Sequence, residues 1–509
     1  MAKKLFIFAI GGTGARVLRS FTMMAAAGLE KFESDTSVIP IIIDHDRQCG
    51  DKDRATNALT QYYTIHNSLY SNTNERNGFF MTNFTPLSHL GVKGGNHAVK
   101  RDNWCLDFGP EGNMKYSKYL GLDSMESIEA LKPTEGLLKA LYDTSDSNEP
   151  TAELELNLNV GFKGKPNIGT VVFHDIKATK EFDWFLGQCG PDDKVFIIGS
   201  LFGGTGASGI PEIVKAIRKS GKPAADTEIG AALMLPYFDL QPNDKAGDGL
   251  NTGAIDYATF NAKTKAALES YGQGGVDAMN RVIDSIYYIG DEEKHTALDY
   301  NEGSSGQKND AHVAEFVAAT AIVDFFTQER VPGSAYEFGI GDTTDKLRIG
   351  QFDNLSKQLI FTPLNSFVIA MRYYNDVVRE KRASVNHATT FYQHFDLTKN
   401  LNKGVYSQVD DFLGVGSAND WNFFSWIDEM ARQVHAFAPY TITGDLYKVI
   451  ADKPQKDRTI MGVGQKAATN DTSLNSRMNT ITGTAADNSA RSFFYALRQL
   501  GTQVNNNLR

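Results

Sequence analysis

Twice in this chain of 509 residues a run of apolar side chains ends in a cluster of glycines that opens a helical stretch. The first run is Leu5 to Ile10, followed by Gly11-Gly12-Thr13-Gly14 and then by ARVLRSFTMMAAAGLEKF. The second is Asp193 to Gly199 (DKVFIIG), followed by Phe202-Gly203-Gly204-Thr205-Gly206-Ala207-Ser208-Gly209 and a helical stretch with Pro211 near its first turn. Apolar runs without alternation read as strands covered on both faces, which belong to a parallel sheet with helices on either side. Glycines at such a junction let the backbone turn tightly and come close to a phosphate. The helix start adds N–H donors and a partial positive charge.

Val38 to Ile43 is a further apolar run, and it ends in Asp44, His45 and Asp46. Strand, glycine turn, helix, strand and acid together make a βαβ unit. Ile229 to Leu235 and the segment IDSIYYIG read as additional strands. NDAHVAEFVAATAIVDFFTQE is apolar around most of its helical circumference, so it is expected to be buried between domains. Residues 47–158 are polar and irregular, and read as an insertion into a nucleotide-binding domain spanning 1–308. A central helix over 309–330 and a second, α+β domain over 331–509 complete the expected layout. The aromatic stretch WNFFSW, Trp421 to Trp426, reads as helix-packing surface.

The formal charge of −10 argues against nucleic acid or an anionic membrane as the main partner. No apolar run reaches the roughly 18 residues of a membrane span. The N-terminal run is followed by GGTGAR and not by a small-residue cleavage site, so it reads as a buried first strand. Cys49, Cys105 and Cys189 are odd in number and widely spaced, which fits a reducing compartment; the expected location is cytoplasmic. His45 and His312 stand near motifs but in no ligand cluster. No lysine follows either glycine cluster in the GK[ST] arrangement, so neither is a Walker-type loop. A dinucleotide-binding oxidoreductase would use Gly11 to Gly14 and Asp44, but it leaves the second cluster unexplained.

The segment VFIIGSLFGGTGASGIP resembles the tubulin/FtsZ signature, a strand followed by GGGTG-[ST]-G and, in the FtsZ branch, a proline. Gly203, Gly204, Thr205, Gly206 and Pro211 match; Phe202, Ala207 and Ser208 depart from the pattern, as in a divergent prokaryotic tubulin-like protein. Other pieces follow in family order. Gly11, Gly12, Thr13 and Gly14 resemble the first phosphate loop, and Asp44 and Asp46 the loop that reaches nucleotide and metal. Gly164 to Gly169 (GKPNIG) resembles the γ-phosphate loop, and Pro236-Tyr237-Phe238 the ribose-side loop. Asn309 and Asp310, opening the central helix, resemble the guanine contacts.

The resemblance implies a tubulin/FtsZ-like α/β fold with a Rossmann-type, mostly parallel sheet. It also implies GTP or GDP as ligand, with Mg²⁺ on Asp44 and Asp46. Assembly into homo-oligomers or filaments follows, with hydrolysis between subunits, and the 47–158 region is free to bind another protein. The acids after the central helix that would orient water are Glu329 and Glu337, although no NxDxxD-type motif surrounds them. A scaffolding protein that keeps the fold and has lost turnover is the alternative.

Overall fold

Strand β1 (Lys4–Ile10) sends Leu5, Ile7 and Ala9 into one core and Phe6, Phe8 and Ile10 into another. This is the consequence of an unbroken apolar run in a pleat of period two, and it sets the whole architecture. The computed structural model describes residues 3–29, 32, 36–46, 48–73, 77–90, 99–109, 114–142, 153–241, 257–273, 278–291, 296–299, 306–328, 346–353, 356–380, 390–417, 419–444, 446–450, 459–460, 463–464 and 471–507. After β1 come α1 (Gly11–Ala26), β2 (Ser37–Ile43), α2 (Gly50–Tyr70) and β3 (Asn83–Phe84). Next are α3 (Pro166–Phe173), α4 (Lys180–Gln188), β4 (Lys194–Ser200), α5 (Gly204–Arg218) and β5 (Glu228–Met234). Then follow β6 (Phe238–Gln241), α6 (Tyr257–Gly272), β7 (Ser285–Ile289), β8 (Thr296–Asp299) and α7 (Val313–Thr327). The C-terminal region contributes α8 (Thr362–Tyr373), α9 (Val405–Leu413), α10 (Phe423–Ala431), α11 (Asp471–Thr482) and α12 (Ala490–Asn507).

Six strands form one sheet in the order β3-β2-β1-β4-β5-β7, and every neighbouring pair is parallel. The order runs outward in both directions from β1 and β4, which makes the gap between their carboxyl ends the topological switch point, where open α/β sheets bind ligands. β6 and β8 pair separately as a two-stranded parallel ribbon. Helices α1, α2 and α7 share one core with the C-terminal helices, while α3, α4 and α5 cover the opposite face. Phe185 of α4 meets Phe6 and Phe8 edge-on at 5.0 and 4.9 Å. Among the described residues no helix is long and apolar enough to cross a membrane.

Several expectations need correction. Residues 47–158 are not wholly an insertion: α2 lies against α1, and β3 is the edge strand beside β2. The central helix begins at Val313 and not at Asn309. His312 is its N-cap, its ring accepting from the Ala314 N–H at 3.1 Å, and Glu315 accepts in return from the His312 N–H at 3.0 Å. Pro211 stands inside α5, because the helix starts within the glycine cluster at Gly204. A proline there cannot donate to the carbonyl four residues earlier. That carbonyl belongs to Ala207, and the Tyr271 hydroxyl of α6 donates to it at 2.6 Å. The described part of 346–507 is chiefly helical, with strands of only two residues. As expected, α7 is buried: Phe316 packs on Phe361, Phe437 and Trp426, and the Trp426 indole N–H donates to Ser20 Oγ at 3.0 Å.

Candidate functional site

The two glycine clusters end adjacent strands, and the structure brings them into contact. α1 begins at Gly11 directly after β1; Gly11 has φ +70°, and a Cβ there would lie 3.4 Å from the Thr205 Cβ. α5 begins at Gly204, with Gly203 as its N-cap. Gly206 carries α5 close over the strand end, since a Cβ there would stand 2.5 Å from the Ser200 carbonyl oxygen. Gly14 does the same for α1, at 2.7 Å from the Ala9 carbonyl carbon. Neither helix start has a side-chain cap or an acidic residue in its first turn. Their leading N–H groups are therefore donors without an anion supplied by the helix's own side chains, which suits them to an external anion.

A third segment closes on this pair. A Cβ on Gly204 would lie 3.0 Å from the Phe162 Cβ and 3.1 Å from the backbone nitrogens of Gly164 and Lys165. Gly164 and Lys165 thus pack on the first residue of α5; the expected GKPNIG loop is only these two residues, because α3 starts at Pro166, whose missing N–H suits a first helical position. Phe162 in turn stacks on His45, ring centroids 5.3 Å apart and planes within 9°. Phe202, which replaces a glycine of the resembled signature, is buried beneath the loop against Phe260, Phe238 and Tyr237.

Asp44 and Asp46 leave the carboxyl end of β2 and are both buried. Burial pushes the Asp44 carboxyl up to about 7; Lys52 opposes the shift and Asp46 adds to it. Asp44 also bonds to Cys49, whose sulfur lies 3.7 Å from where a Gly12 Cβ would be. Among the described residues no group of three or more His, Cys, Asp or Glu side chains forms a metal cage. Mg²⁺ bound with a phosphate ligand takes only one or two protein carboxylates, and the Asp44–Asp46 pair has the chemistry for that.

Sequence reasoning missed a buried ionic network beside the first glycine cluster. Arg16 of α1 reaches Asp51 of α2 and Glu315 of α7, each at 2.5 Å, and donates to the Tyr237 hydroxyl at 2.8 Å and Thr13 Oγ1 at 3.3 Å. The Tyr237 hydroxyl in turn donates a hydrogen bond to Glu315 at 2.7 Å. Asp51 also accepts from the Asn309 N–H at 3.0 Å, and Arg54 donates to the Asn309 carbonyl at 2.8 Å. Asn309 is thus fixed through its main chain in the segment ahead of α7, and is not a helix cap. Asp310, half-exposed, pairs with Arg432 at 3.3 Å. The partners are 35 and 299 residues from Arg16, so no local pattern announces them.

Glu329 and Glu337, the acids expected to orient water, lie outside the described residues. The glycine clusters, the segment 162–165, Asp44, Asp46 and Asn309 all lie beyond the carboxyl ends of β1, β2 and β4 or are tied to residues there. Compared with known proteins, the chain matches no protein-family model and no curated relative.

Proposed function

We propose that this is a GTP-binding, self-assembling protein of the tubulin/FtsZ kind, with Mg²⁺-dependent hydrolysis at the contact between subunits. The observation that carries the reading is the meeting of two uncapped, glycine-opened helix starts at the switch point between β1 and β4. Two such starts suit a chain of phosphates, since each presents backbone N–H groups and the positive end of a helix dipole. The Gly203–Gly206 segment, the GKPNIG loop against it and the acids after β2 follow the family order, and the choice of guanine rests on that resemblance. Mg²⁺, when bound, would neutralise charge developing on the transferred phosphoryl group. In this scheme Asp44 and Asp46 hold the cation, the helix starts hold the phosphates, and an acid from a neighbouring subunit orients the water.

The test is to purify the protein without added nucleotide, release any ligand and identify it by chromatography. The same preparation is then given GTP and Mg²⁺ while phosphate release and light scattering are followed. Guanine nucleotide with phosphate release and rising scatter is the expected result. Guanine nucleotide without turnover assigns the scaffolding alternative, whereas a nicotinamide or flavin, or no nucleotide binding at all, overturns the reading.

A further inference from the structure

Helix α6 lies over the second glycine cluster: Phe260 packs on Phe202 with ring centroids 4.6 Å apart, and Tyr271 donates to the Ala207 carbonyl. Residues 260 and 271 are eleven apart and share one helical face, and Lys263, one turn after Phe260, borders that face. Its ammonium is brought to the Gly164 backbone. A Cβ on Gly164 would stand 2.8 Å from Lys263 Nζ, and the Gly164 N–H borders Gly204 at the start of α5. Glycine at 164, with φ +70°, leaves the space in which the ammonium sits.

The charge balance around Gly164 is unusual. Lys165 on the same loop has Glu153 as counter-ion at 3.1 Å. Lys263 has no carboxylate partner among the described residues, although it is more than half withdrawn from solvent. Burial lowers its pKa, and the neighbouring Lys165 lowers it further. A cation held in this way, beside a second cation and a loop residue that borders the start of α5, is stabilised by an anion placed among them.

We propose that Lys263 binds the terminal phosphate of a nucleoside triphosphate and so sets the preference for triphosphate over diphosphate. This rests on the nucleotide reading above. Helix starts supply neutral dipolar donors to every phosphate of the chain, whereas Lys263 adds one full charge next to the loop that resembles the γ-phosphate loop. Losing it therefore affects the triphosphate selectively.

The test compares GTP and GDP affinities, with Mg²⁺, for the wild type, Lys263→Met and Lys263→Arg. Lys263→Met is expected to weaken GTP about tenfold to a hundredfold, the range of a charge-assisted hydrogen bond, and to change GDP by no more than about twofold. Lys263→Arg should regain most of the GTP affinity. Without nucleotide, Lys263→Met should melt no lower than the wild type, because it removes an uncompensated charge. Equal losses for both nucleotides, or no loss, overturn the role of Lys263 while leaving the nucleotide reading intact. A wild type that binds neither GTP nor GDP overturns both.

Discussion

Arg16 and Asp51 meet at 2.5 Å with both side chains almost wholly buried, and this pair ties the first glycine-opened helix to α2. The other Asp51 oxygen accepts from the Asn309 N–H, so one carboxylate holds the Gly12 region, α2 and the approach to α7 together. Removing one member of a buried pair leaves the other charge without compensation. Arg16 keeps Glu315, which softens the loss. Asp51→Ala is expected to cost about 3 kcal/mol in urea unfolding, and Asp51→Asn less, because the amide oxygen still accepts. A loss below about 1 kcal/mol, typical of exposed pairs, would show the network to be dispensable.

Glu429 of α10 plays the corresponding part further along the same helices. It accepts from Arg19 of α1 at 2.7 Å, from Arg54 of α2, and from the Ala311 N–H at 2.8 Å. Glu429→Ala would leave two buried arginines facing each other. We expect a loss of about 3–5 kcal/mol or insoluble protein, with Glu429→Gln milder. Denaturant unfolding followed together with limited proteolysis checks this: the C-terminal helices should become cleavable in the Ala variant at denaturant concentrations that leave the wild type intact.

Strands β1, β2, β4, β5 and β7 were legible as apolar runs, and the glycine clusters marked where β1 and β4 end; the edge strand β3, only two residues long, was not. Helix α2 was hidden for a physical reason. Its buried apolar positions are Ala55, Ala58, Leu59, Tyr62, Ile65, Leu69 and Tyr70, spaced as a helix requires, but two are small, and Asp51, Lys52, Arg54 and His66 are also buried. Charges inside a core erase the polar–apolar contrast on which periodicity depends. The repetition of the glycine cluster at two strand ends was legible; that the two clusters touch follows only from the adjacency of β1 and β4. The Arg16 network and Lys263 were not, because a single charge finds its partner through the fold and not through local spacing.

Pro211 and Tyr271 offer a test of how a helix tolerates an internal proline. The Tyr271 hydroxyl occupies the Ala207 carbonyl that Pro211 cannot use. Tyr271→Phe should cost about 1–2 kcal/mol in the wild type, since a buried carbonyl loses its donor. In a Pro211→Ala background the new N–H at 211 can take that carbonyl, and the same change should then cost less than about 0.5 kcal/mol. A double-mutant cycle in urea measures the difference, and equal costs in both backgrounds would refute the coupling.

Gly204 has the loop ahead of α3 pressed against it, with the Phe162 Cβ and the Gly164 and Lys165 backbone nitrogens 3.0–3.1 Å from where a Cβ would be. Gly204→Ala should therefore displace that loop and destabilise the protein by about 1–3 kcal/mol. Gly204→Asp adds a carboxylate at the helix start and should abolish nucleotide affinity. Unchanged nucleotide affinity in the Asp variant would count against phosphate binding at this start.

Asp44 gives the protein a pH dependence whose sign follows from its environment. Burial raises its carboxyl to about 7, whereas in the unfolded chain it titrates near ~3.9. Between these values the folded state keeps a proton that the unfolded chain has lost. Its contribution to stability is complete below the unfolded value, declines as pH rises, and is gone above the folded one. In metal-free buffer the wild type should lose stability between pH 5 and pH 8, by on the order of 1–3 kcal/mol more than Asp44→Asn, which has no proton to lose. Urea midpoints at the two pH values measure this. Mg²⁺ with nucleotide should restore the wild type at pH 8, because a cation favours the ionised carboxylate, and should leave Asp44→Asn less affected. Parallel pH profiles for the two proteins would mean that the Asp44 carboxyl is already ionised in the fold.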